Sequence, residues 1–357
     1  MELVYNKELP LICNQNYIYK YLVIPDLHLL QIEPNNRNNI MISRQLQLMD
    51  ELVELIKINK VTGVIFTGDI ADRGYKKCGF DYQSLVISKI KNISKAVEGN
   101  CFSVFGNHEL TYYKDNIFYS VASIDNDVIE RQIIGKKVPN LIEPYIKTPS
   151  VIDFGDLKIY LVHYDKDKMY KILDESRQAV AIYHDDFISL ESSEILYHHS
   201  VGNGINILNT NVFNNIDWAI MGHIHIPINQ FKINNDRMTV VDTPGSIIPR
   251  TITEKHNKVN LPVICIDNYG FHREYLNFNI GDFDETINHE IVKKQQQQYV
   301  MSKVIKETKS IVSYDKGFEE LLQTVNNDSI KRFIVEADKP IILESDVKYK
   351  DFLKISN

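Results

Sequence analysis

Three short apolar runs near the start of this 357-residue chain alternate with two segments of helical spacing, and this order limits the fold more than any other feature. The runs cover residues 19–25, 61–67 and 101–105, and apolar residues recur with helical period over 41–57 and 82–97. A strand that is followed by a helix and a further strand pairs in parallel through the helical crossover. The sequence therefore predicts an α/β fold that begins with a parallel sheet.

A short motif rich in Asp, Asn and His follows each predicted strand. The motifs are Asp26-Leu27-His28, Gly68-Asp69, Gly106-Asn107-His108-Glu109 and, after a further predicted strand at 218–221, Gly222-His223-Ile224-His225. Because ligands bind at the carboxyl ends of parallel strands, we expect these motifs to meet at one edge. Asp, Asn and His are donors for divalent cations, and two cations suit the hydrolysis of phosphate esters. The sequence therefore predicts a hydrolase with a two-metal site.

Two of the motifs place a pair of metal ligands one residue apart. At the end of an extended strand, Asp26 and His28 point to the same side, so both can reach one ion. His223 and His225 have the same spacing, and we predict that each serves one of the two cations. These two motifs therefore supply four predicted ligands.

The two central motifs supply the other predicted groups of the site. Asp69 has two carboxylate oxygens and is predicted to bridge the ions, whereas Asn107 offers a neutral amide oxygen. His108 is predicted to be catalytic, as proton donor to the leaving oxygen or as a cation that stabilises the transition state; the alternative is a hydrogen bond beside the ligands. Asp72 is predicted to orient His108 or a metal ligand, and a helix N-cap or turn carboxylate is the alternative.

Composition excludes several other classes of protein. A hydrophobic share of 44% supplies a core and opposes global disorder. The formal net charge of −7 opposes a basic surface, although a basic groove and bound cations still permit nucleic-acid binding. The four cysteines are scattered, and no apolar run approaches the ~20 residues that span a bilayer. We therefore expect a cytoplasmic protein with no membrane contact.

The motif set resembles that of the calcineurin-like metallophosphoesterases over residues 19 to 275. The segments that carry the resemblance are Asp26-x-His28, Gly68-Asp69-Ile70-Ala71-Asp72, Gly106-Asn107-His108-Glu109 and Gly222-His223-x-His225. The resemblance implies a metallophosphoesterase β-sandwich flanked by helices, with two divalent metal ions at its edge. Mn²⁺ is the expected ion, and Mg²⁺, Fe²⁺ and Zn²⁺ are alternatives.

The resemblance implies one further histidine ligand, for which the chain offers two candidates. Both His163 and His184 follow a predicted strand. In nucleases of the SbcD type a strand and a helix precede the ligand-bearing strand, which favours His184 and leaves His163 at the rim of the cleft, in contact with substrate. Simpler phosphatases have one such strand, which favours His163. We predict His184 as the ligand, and the alternative stays open.

Within the superfamily the chain is most similar to the SbcD-type DNA repair nucleases of bacteria and phages. The segments 26–29 and 240–246 resemble theirs. Arg250 is predicted to contact a substrate phosphate, and a surface arginine in a loop is the alternative. The resemblance implies a DNA exonuclease or endonuclease subunit that acts in recombination and repair with an SbcC-type ATPase; a homodimer is left open. Glu109 and the segment 72–74 instead resemble protein phosphatases. The alternatives are therefore a stand-alone phosphomonoesterase of proteins or nucleotides, or a cyclic-nucleotide phosphodiesterase. A non-catalytic binding module is opposed by the intact motifs.

Two domains are predicted from the pattern along the chain. Residues 1–282 form the catalytic domain, and the pattern weakens near a run of glutamines at 295–298. Residues 283–357 are predicted to form a small α+β appendage, and the resemblance to SbcD-type nucleases implies that it caps DNA or docks on the partner ATPase.

Overall fold

A computed structural model of the chain describes residues 9–12, 16–30, 37–38, 40–72, 80–108, 110–113, 116–119, 146–147, 149–164, 175–185, 187–188, 205–206, 211–233, 235–249, 254, 257–283, 286–291 and 293–294. Within these ranges the side chains of 80–87, 110–113, 116–119, 187–188, 205–206, 211 and 229 are not described. In chain order the elements are β1 (Tyr19–Ile24), α1 (Ile40–Ile58), β2 (Gly63–Phe66), α2 (Phe80–Ala96), β3 (Cys101–Ser103), β4 (Leu110–Tyr113), β5 (Asn116–Tyr119), β6 (Val151–Asp153), β7 (Leu157–Val162), β8 (Gln178–His184), β9 (Phe187–Ile188), β10 (Ile205–Asn206), a 3₁₀ turn (Asn211–Phe213), β11 (Trp218–Gly222), β12 (Ile228–Lys232), β13 (Val240–Thr243), β14 (Lys258–Asp267) and β15 (Gly270–Asn279).

The first sheet has five strands in the order β15-β14-β1-β2-β3. β1, β2 and β3 are parallel, as the alternation of strands and helices predicts. β14 joins the other side of β1 in the antiparallel direction and continues through a tight turn into β15. The sequence pattern did not reveal β15, because its buried and exposed residues do not alternate along its first half.

The second sheet has six strands in the order β12-β13-β11-β8-β7-β6. β7, β8, β11 and β13 are mutually parallel, so their carboxyl ends lie at the same edge. The sequence favours an antiparallel strand at 239–243, which corresponds to β13. The prediction is correct for the pairing of β13 with β12 and wrong for its pairing with β11, which is parallel. A β-hairpin, β4–β5, and a short parallel pair, β9–β10, lie outside these two sheets.

The two sheets pack face to face around a shared apolar layer. The buried residues in this layer are Tyr21, Val23, Ile65, Phe102, Val104, Leu157, Ile159, Leu161, Val180, Ile182, Trp218, Ile220, Val240, Ile264 and Ile266. Each such side chain contributes about 1.5–3 kcal/mol when it is fully removed from water. The sandwich therefore holds its two sheets together through side chains that alternate with those of the outer faces.

The outer face of the first sheet is covered by helices. In α1 the fully buried residues Met41, Leu48, Leu52 and Leu55 recur with helical period, so one stripe of the helix packs against the sheet. The side chain of Asn38 accepts a hydrogen bond from the backbone N–H of Ile40, where α1 begins. The predicted fold, a β-sandwich flanked by helices, is confirmed.

The chain divides into two compact units, residues 1–286 and 287–357. In the second unit only 287–291 and 293–294 are described, so the α+β appendage lies outside the described residues and the boundary at 282 stays a prediction. A predicted helix at 165–176 falls mostly on residues that are also outside this set. Among the helices of the described ranges, none is long and apolar enough to cross a membrane.

Candidate metal centre

The predicted ligands converge on the edge where the parallel strands of both sheets end. Asp26 and Asp69 follow β1 and β2, His184 is the last residue of β8, and His223 directly follows β11. β8 and β11 are neighbours, and His184 lies opposite Gly222 in their register. Six Asp and His side chains from distant parts of the sequence therefore form two groups, which are described in turn below, and the ligand atoms of His28, Asp72 and His108 form a further cluster.

The backbone turns sharply at several of these positions. His28, Asp69 and His223 have positive φ angles of 43°, 48° and 77°. Because β1 ends at Ile24, Asp26 and His28 do not lie on an extended strand. Both side chains do reach the same group, but the prediction that an extended strand end directs them there is wrong. Turns of this kind are costly for residues with a side chain and cluster at functional sites.

Two glycines allow the strand ends to approach each other closely. A Cβ atom on Gly106 would lie 2.2 Å from Oδ1 of Asp69, and one on Gly222 would lie 2.7 Å from Oγ1 of Thr67. Both distances are shorter than any van der Waals contact, so only glycine fits. The second of these contacts brings the second sheet against the first at the site.

The first group consists of Asp26, His28 and His225, whose ligand atoms all lie within 4.8 Å of one another. Asp26 is fully buried, and its Oδ1 accepts a hydrogen bond from Oγ1 of Thr67 at 2.7 Å. Its Oδ2 accepts a hydrogen bond from the backbone N–H of His223 at 2.6 Å. The carboxylate is thereby fixed in orientation beside the two imidazoles.

The second group consists of Asp69, His184 and His223, with ligand atoms within the same limit. Nδ1 of His184 lies 2.8 Å from the backbone oxygen of Thr67, which can only accept a hydrogen bond, so Nδ1 carries the proton and Nε2 faces the group. Oδ1 of Asn107 lies 3.0 Å from this Nε2 and 3.1 Å from Nδ1 of His223. A carboxylate, an amide oxygen and imidazole nitrogens thus share one position, and this donor set fits a divalent cation.

Asp69 stands between the two groups. Its Oδ2 lies 3.3 Å from Nε2 of His28 and 3.3 Å from Nε2 of His184. Its Oδ1 accepts a hydrogen bond from the backbone N–H of His108, which fixes the carboxylate. Asp69 therefore contacts histidines of both groups, and its bridging role stays a prediction.

The two buried carboxylates differ in their protonation. Burial raises the pKa of Asp26 above its usual value, although the nearby His184 acts in the opposite direction. Burial acts upward on Asp69 too, but the adjacent imidazoles of His184 and His28 outweigh it and hold the pKa of Asp69 well below its usual range. Asp69 is therefore the carboxylate whose charge the protein itself favours most.

His108 lies beside both groups, and 27% of its side chain is exposed. Its Nδ1 lies 2.5 Å from the backbone oxygen of Asp72, so this nitrogen donates and the ring is fixed. Its Nε2 lies 4.0 Å from Oδ2 of Asp69. Oδ1 of the Asp72 side chain lies 3.7 Å from Nδ1 of His28, and one ligand atom each of Asp72, His28 and His108 lie within 4.8 Å of one another. Asp72 therefore contacts His108 through its backbone and a group member through its carboxylate.

Of the two remaining predicted residues, His163 is described and belongs to neither group. His163 uses Nδ1 to accept a hydrogen bond from the backbone N–H of Phe105 at 3.0 Å, and its ring packs on that of Phe105. The structure thus brings His184, and not His163, together with Asp69 and His223. Arg250 lies outside the described residues.

Sequence reasoning missed one buried acid at the site, Glu254. Only 5% of this residue is exposed, and its Oε1 lies 3.2 Å from Nδ1 of His225. Its Oε2 accepts a hydrogen bond from the hydroxyl of Ser246. No strand or motif surrounds Glu254 in the sequence, so the pattern carried no signal for it.

Comparison with known proteins agrees with this geometry. Residues 19–227, more than half of the chain, match the family model of the calcineurin-like phosphoesterases. The chain therefore belongs to the calcineurin-like phosphoesterase family, whose members typically bind two divalent metals and are metal-dependent hydrolases. No curated protein matches the chain significantly.

Proposed function

We propose that this protein is a metal-dependent phosphodiesterase that cleaves DNA, with Mn²⁺ as its ion. The observation that carries the proposal is the position of Oδ2 of Asp69, 3.3 Å from an imidazole nitrogen of each group. One carboxylate oxygen between two sets of donors is the arrangement that a pair of ions requires, because the shared negative charge offsets their mutual repulsion.

In this proposal each group holds one ion. Asp26, His28 and His225 would hold the first, Asn107, His184 and His223 would hold the second, and Asp69 would contribute to both. When bound, the two cations act as Lewis acids that neutralise charge on the phosphate and lower the pKa of water. The N and O donors are compatible with Mn²⁺.

His108 is the proposed general acid. The backbone oxygen of Asp72 holds its Nδ1, so Nε2 is the nitrogen directed to the centre. From there it donates a proton to the leaving oxygen of the ester, or as a cation stabilises the negative charge that develops. Asp72 is a positioning residue, since it contacts His108 through its backbone and His28 through its carboxylate.

Two features favour a diester of DNA over a phosphomonoester. The sequence segments at 26–29 and 240–246 resemble those of SbcD-type nucleases. The paired parallel strands β7 and β8, of which the second ends in His184, fit the layout expected of those enzymes. His163, at the periphery beside Phe105, and Arg250 are proposed to contact the substrate.

The test compares two substrates and two variants. Purified protein with Mn²⁺ is incubated with linear duplex DNA or with 4-nitrophenyl phosphate. We expect DNA cleavage, its loss in Asp69→Asn, and its retention in Asp236→Asn, which alters an exposed turn residue. Rapid monoester turnover without DNA cleavage would reject the nuclease and leave the phosphomonoesterase alternative. DNA cleavage that survives Asp69→Asn would overturn the metal centre itself.

A partner is also part of the proposal. We propose that residues 283–357 cap DNA or bind an ATPase of the SbcC type, because such nucleases carry a partner-docking segment there. We expect the neighbouring gene to encode a Walker-motif ATPase with a coiled-coil insertion, and the full chain is co-expressed with the product of that gene. Co-elution of the two chains is expected, and separate elution at micromolar concentration contradicts the partner.

A further inference from the structure

A second cavity, of about 250 Å³, opens at the same end of the sandwich as the metal centre. We call it the β12–β14 pocket; its polar lining residues are Gln230, Asp242, Thr243, Lys258, Asn260 and Tyr275. In the first sheet Leu22 pairs with Val263, so β14 begins where β1 ends. In the second sheet the pocket uses the carboxyl end of β13, which is parallel to β11. The pocket therefore shares an edge with the candidate metal centre.

The loops that carry His225 also form a wall of this pocket. Pro227, two residues beyond His225, lines it, and so does Pro244. The backbone N–H of Ser246 donates to the backbone oxygen of His225 at 2.9 Å, which ties the two loops together. The pocket and His225 of the first group therefore share these two loops.

The pocket replaces the apolar layer between the sheets. Ile264 and Ile266 of β14 belong to that layer, and the residues two and four positions before Ile264 on the same face are Pro262 and Asn260. In β13, Val240 belongs to the layer and Asp242 follows on the same face. The layer becomes polar where the sandwich opens. The space that these polar side chains line is therefore open to water or to a ligand.

A rigid hydrogen-bond network forms one side of the pocket. Asp242 accepts hydrogen bonds from Nε1 of Trp218, from the hydroxyl of Tyr275 and from Nε2 of Gln230. Burial and the bond to Asp242 raise the pKa of Tyr275, which keeps its hydroxyl a donor. Because a carboxylate only accepts, Gln230 must present its amide nitrogen to Asp242. Its Oε1 then has no hydrogen-bond partner within the described ranges.

Three other lining side chains keep polar groups available. Thr243 is only 4% exposed, yet its hydroxyl makes no hydrogen bond to any described residue. The amide of Asn260 and the ammonium of Lys258 likewise have no partner in the described part of the chain. The pocket therefore offers donors and acceptors from neutral side chains, and the charges of Lys258 and Asp242 balance.

We propose that the β12–β14 pocket binds the neutral base of a nucleotide in the phosphoester substrate, an inference whose link to cleavage rests on the proposed function. The volume is below the range of about 300–1,000 Å³ that is usual for drug-sized ligands, so a single ring system fits better than a longer chain. Asn and Gln amides pair with the edges of bases, and proline and tyrosine supply apolar contact. A phosphate is disfavoured because Asp242 offsets the single cation.

Binding can be measured without catalysis, because Trp218 is the one tryptophan in the chain and donates to Asp242. Metal-free protein is titrated with the four nucleosides, with inorganic phosphate and with ribose, and indole fluorescence is followed. We expect a saturable change with at least one nucleoside and none with phosphate or ribose. No change with any nucleoside, or an equal change with phosphate, overturns the proposal.

Variants locate the binding. Asn260→Ala is expected to weaken nucleoside affinity about tenfold, since a good amide–base pair is worth about 1–3 kcal/mol. Asn277 is the cross-strand neighbour of Asn260, equally exposed and outside the pocket, so Asn277→Ala is the matched control. Gln230→Ala provides a second variant. Equal weakening by Asn260→Ala and Asn277→Ala contradicts the pocket.

A kinetic experiment separates this inference from the proposed function. Hydrolysis of bis(4-nitrophenyl) phosphate, which has no base, is compared with that of 4-nitrophenyl esters of the four nucleoside 5′-phosphates. We expect Asn260→Ala to lower kcat/KM about tenfold for the preferred nucleotide ester and to leave the base-free diester unchanged. Equal loss on both substrates overturns the pocket. Failure of both substrates with wild-type protein contradicts the proposed function, and the nucleoside titration then still decides the pocket.

Discussion

The two groups at the metal centre contain the same residue types, yet they differ in what lies behind their imidazoles. In the first group, Nδ1 of His28 and Nδ1 of His225 face the carboxylates of Asp72 and Glu254, at 3.7 and 3.2 Å. In the second group, Nδ1 of His184 donates to the backbone oxygen of Thr67 and lies 3.6 Å from Oδ1 of Asp26, which is itself a member of the first group. A carboxylate makes the imidazole that it contacts a stronger donor. The two proposed ions should therefore be held with unequal strength, the first more tightly.

Substitution of Asp69 is expected to have the largest effect, because it should remove the ions of both groups. Asp69→Asn takes away the carboxylate oxygen that lies 3.3 Å from a histidine nitrogen of each group. We expect loss of Mn²⁺ binding at both positions and a fall in DNA cleavage of at least about a thousandfold, since two-ion stabilisation is worth several kcal/mol. Metal content by mass spectrometry and cleavage rates measure this. Retention of two tightly bound ions would contradict the bridging role.

The next prediction concerns the second group alone. His184→Gln should leave about one bound Mn²⁺ per chain instead of about two, because the first group keeps all of its donors. His163→Gln should bind both ions, since Nδ1 of His163 is engaged by the backbone of Phe105. Isothermal titration with Mn²⁺ compares the two. The opposite result, with an ion lost only in the His163 variant, would exchange their roles.

A smaller effect tests the carboxylate behind the first group. Glu254→Gln is expected to weaken the tighter Mn²⁺ by about 10–100-fold and to leave the weaker one unchanged. Glu254→Asp should restore part of the affinity, because it keeps the charge. If Glu254→Gln alters only the melting temperature of metal-free protein, Glu254 serves the fold and not the ion.

The smallest effect concerns the metal-free protein and the opposite pKa shifts of its two carboxylates. The raised pKa of Asp26 means that its ionised form is disfavoured by folding, so Asp26 costs stability as pH rises above the unfolded value of about 4. Asp26→Asn should raise the melting temperature at pH 8 by a few degrees, on the order of 1 kcal/mol. The gain should vanish at pH 3, where Asp26 is protonated in both states.

Asp69 provides the opposite case in the same thermal melts. Its pKa is lowered, so its charge stabilises the metal-free fold above pH 4 and is lost as the pH falls through the folded value. Asp69→Asn should therefore lower the melting temperature at pH 8. Shifts of the same sign for Asp26→Asn and Asp69→Asn would show that the two carboxylates do not differ as described.

Local pattern was enough to predict the first half of the fold. The runs at 19–25, 61–67 and 101–105 became β1, β2 and β3, and their parallel pairing followed from the helices between them. The pairing of β13 was only half predicted, because a strand between two others takes a direction from each. The register of a sheet is set by contacts across it, which local spacing does not contain.

The candidate site shows the same division. The motifs identified the residues that converge, but the extended geometry expected at Asp26 and His28 is replaced by a left-handed turn at His28. The turn depends on Asp69, whose backbone oxygen accepts the N–H of His28 at 2.8 Å. Spacing along the chain thus predicted which side chains meet and gave the wrong reason for how they do so.

The order of strands and helices could be predicted from local sequence features, because apolar residues recur with a fixed period along each element. The Asp, Asn and His side chains at the strand ends could be predicted for the same reason. Only the tertiary structure decided that His184 joins the second group, since β8 and not β7 lies beside β11. It also decided that Glu254 backs His225 and that Gln230, Asp242 and Asn260 share a pocket. These contacts join residues from different strands and loops. They form because distant segments pair in the sheets and pack together, which local sequence does not specify.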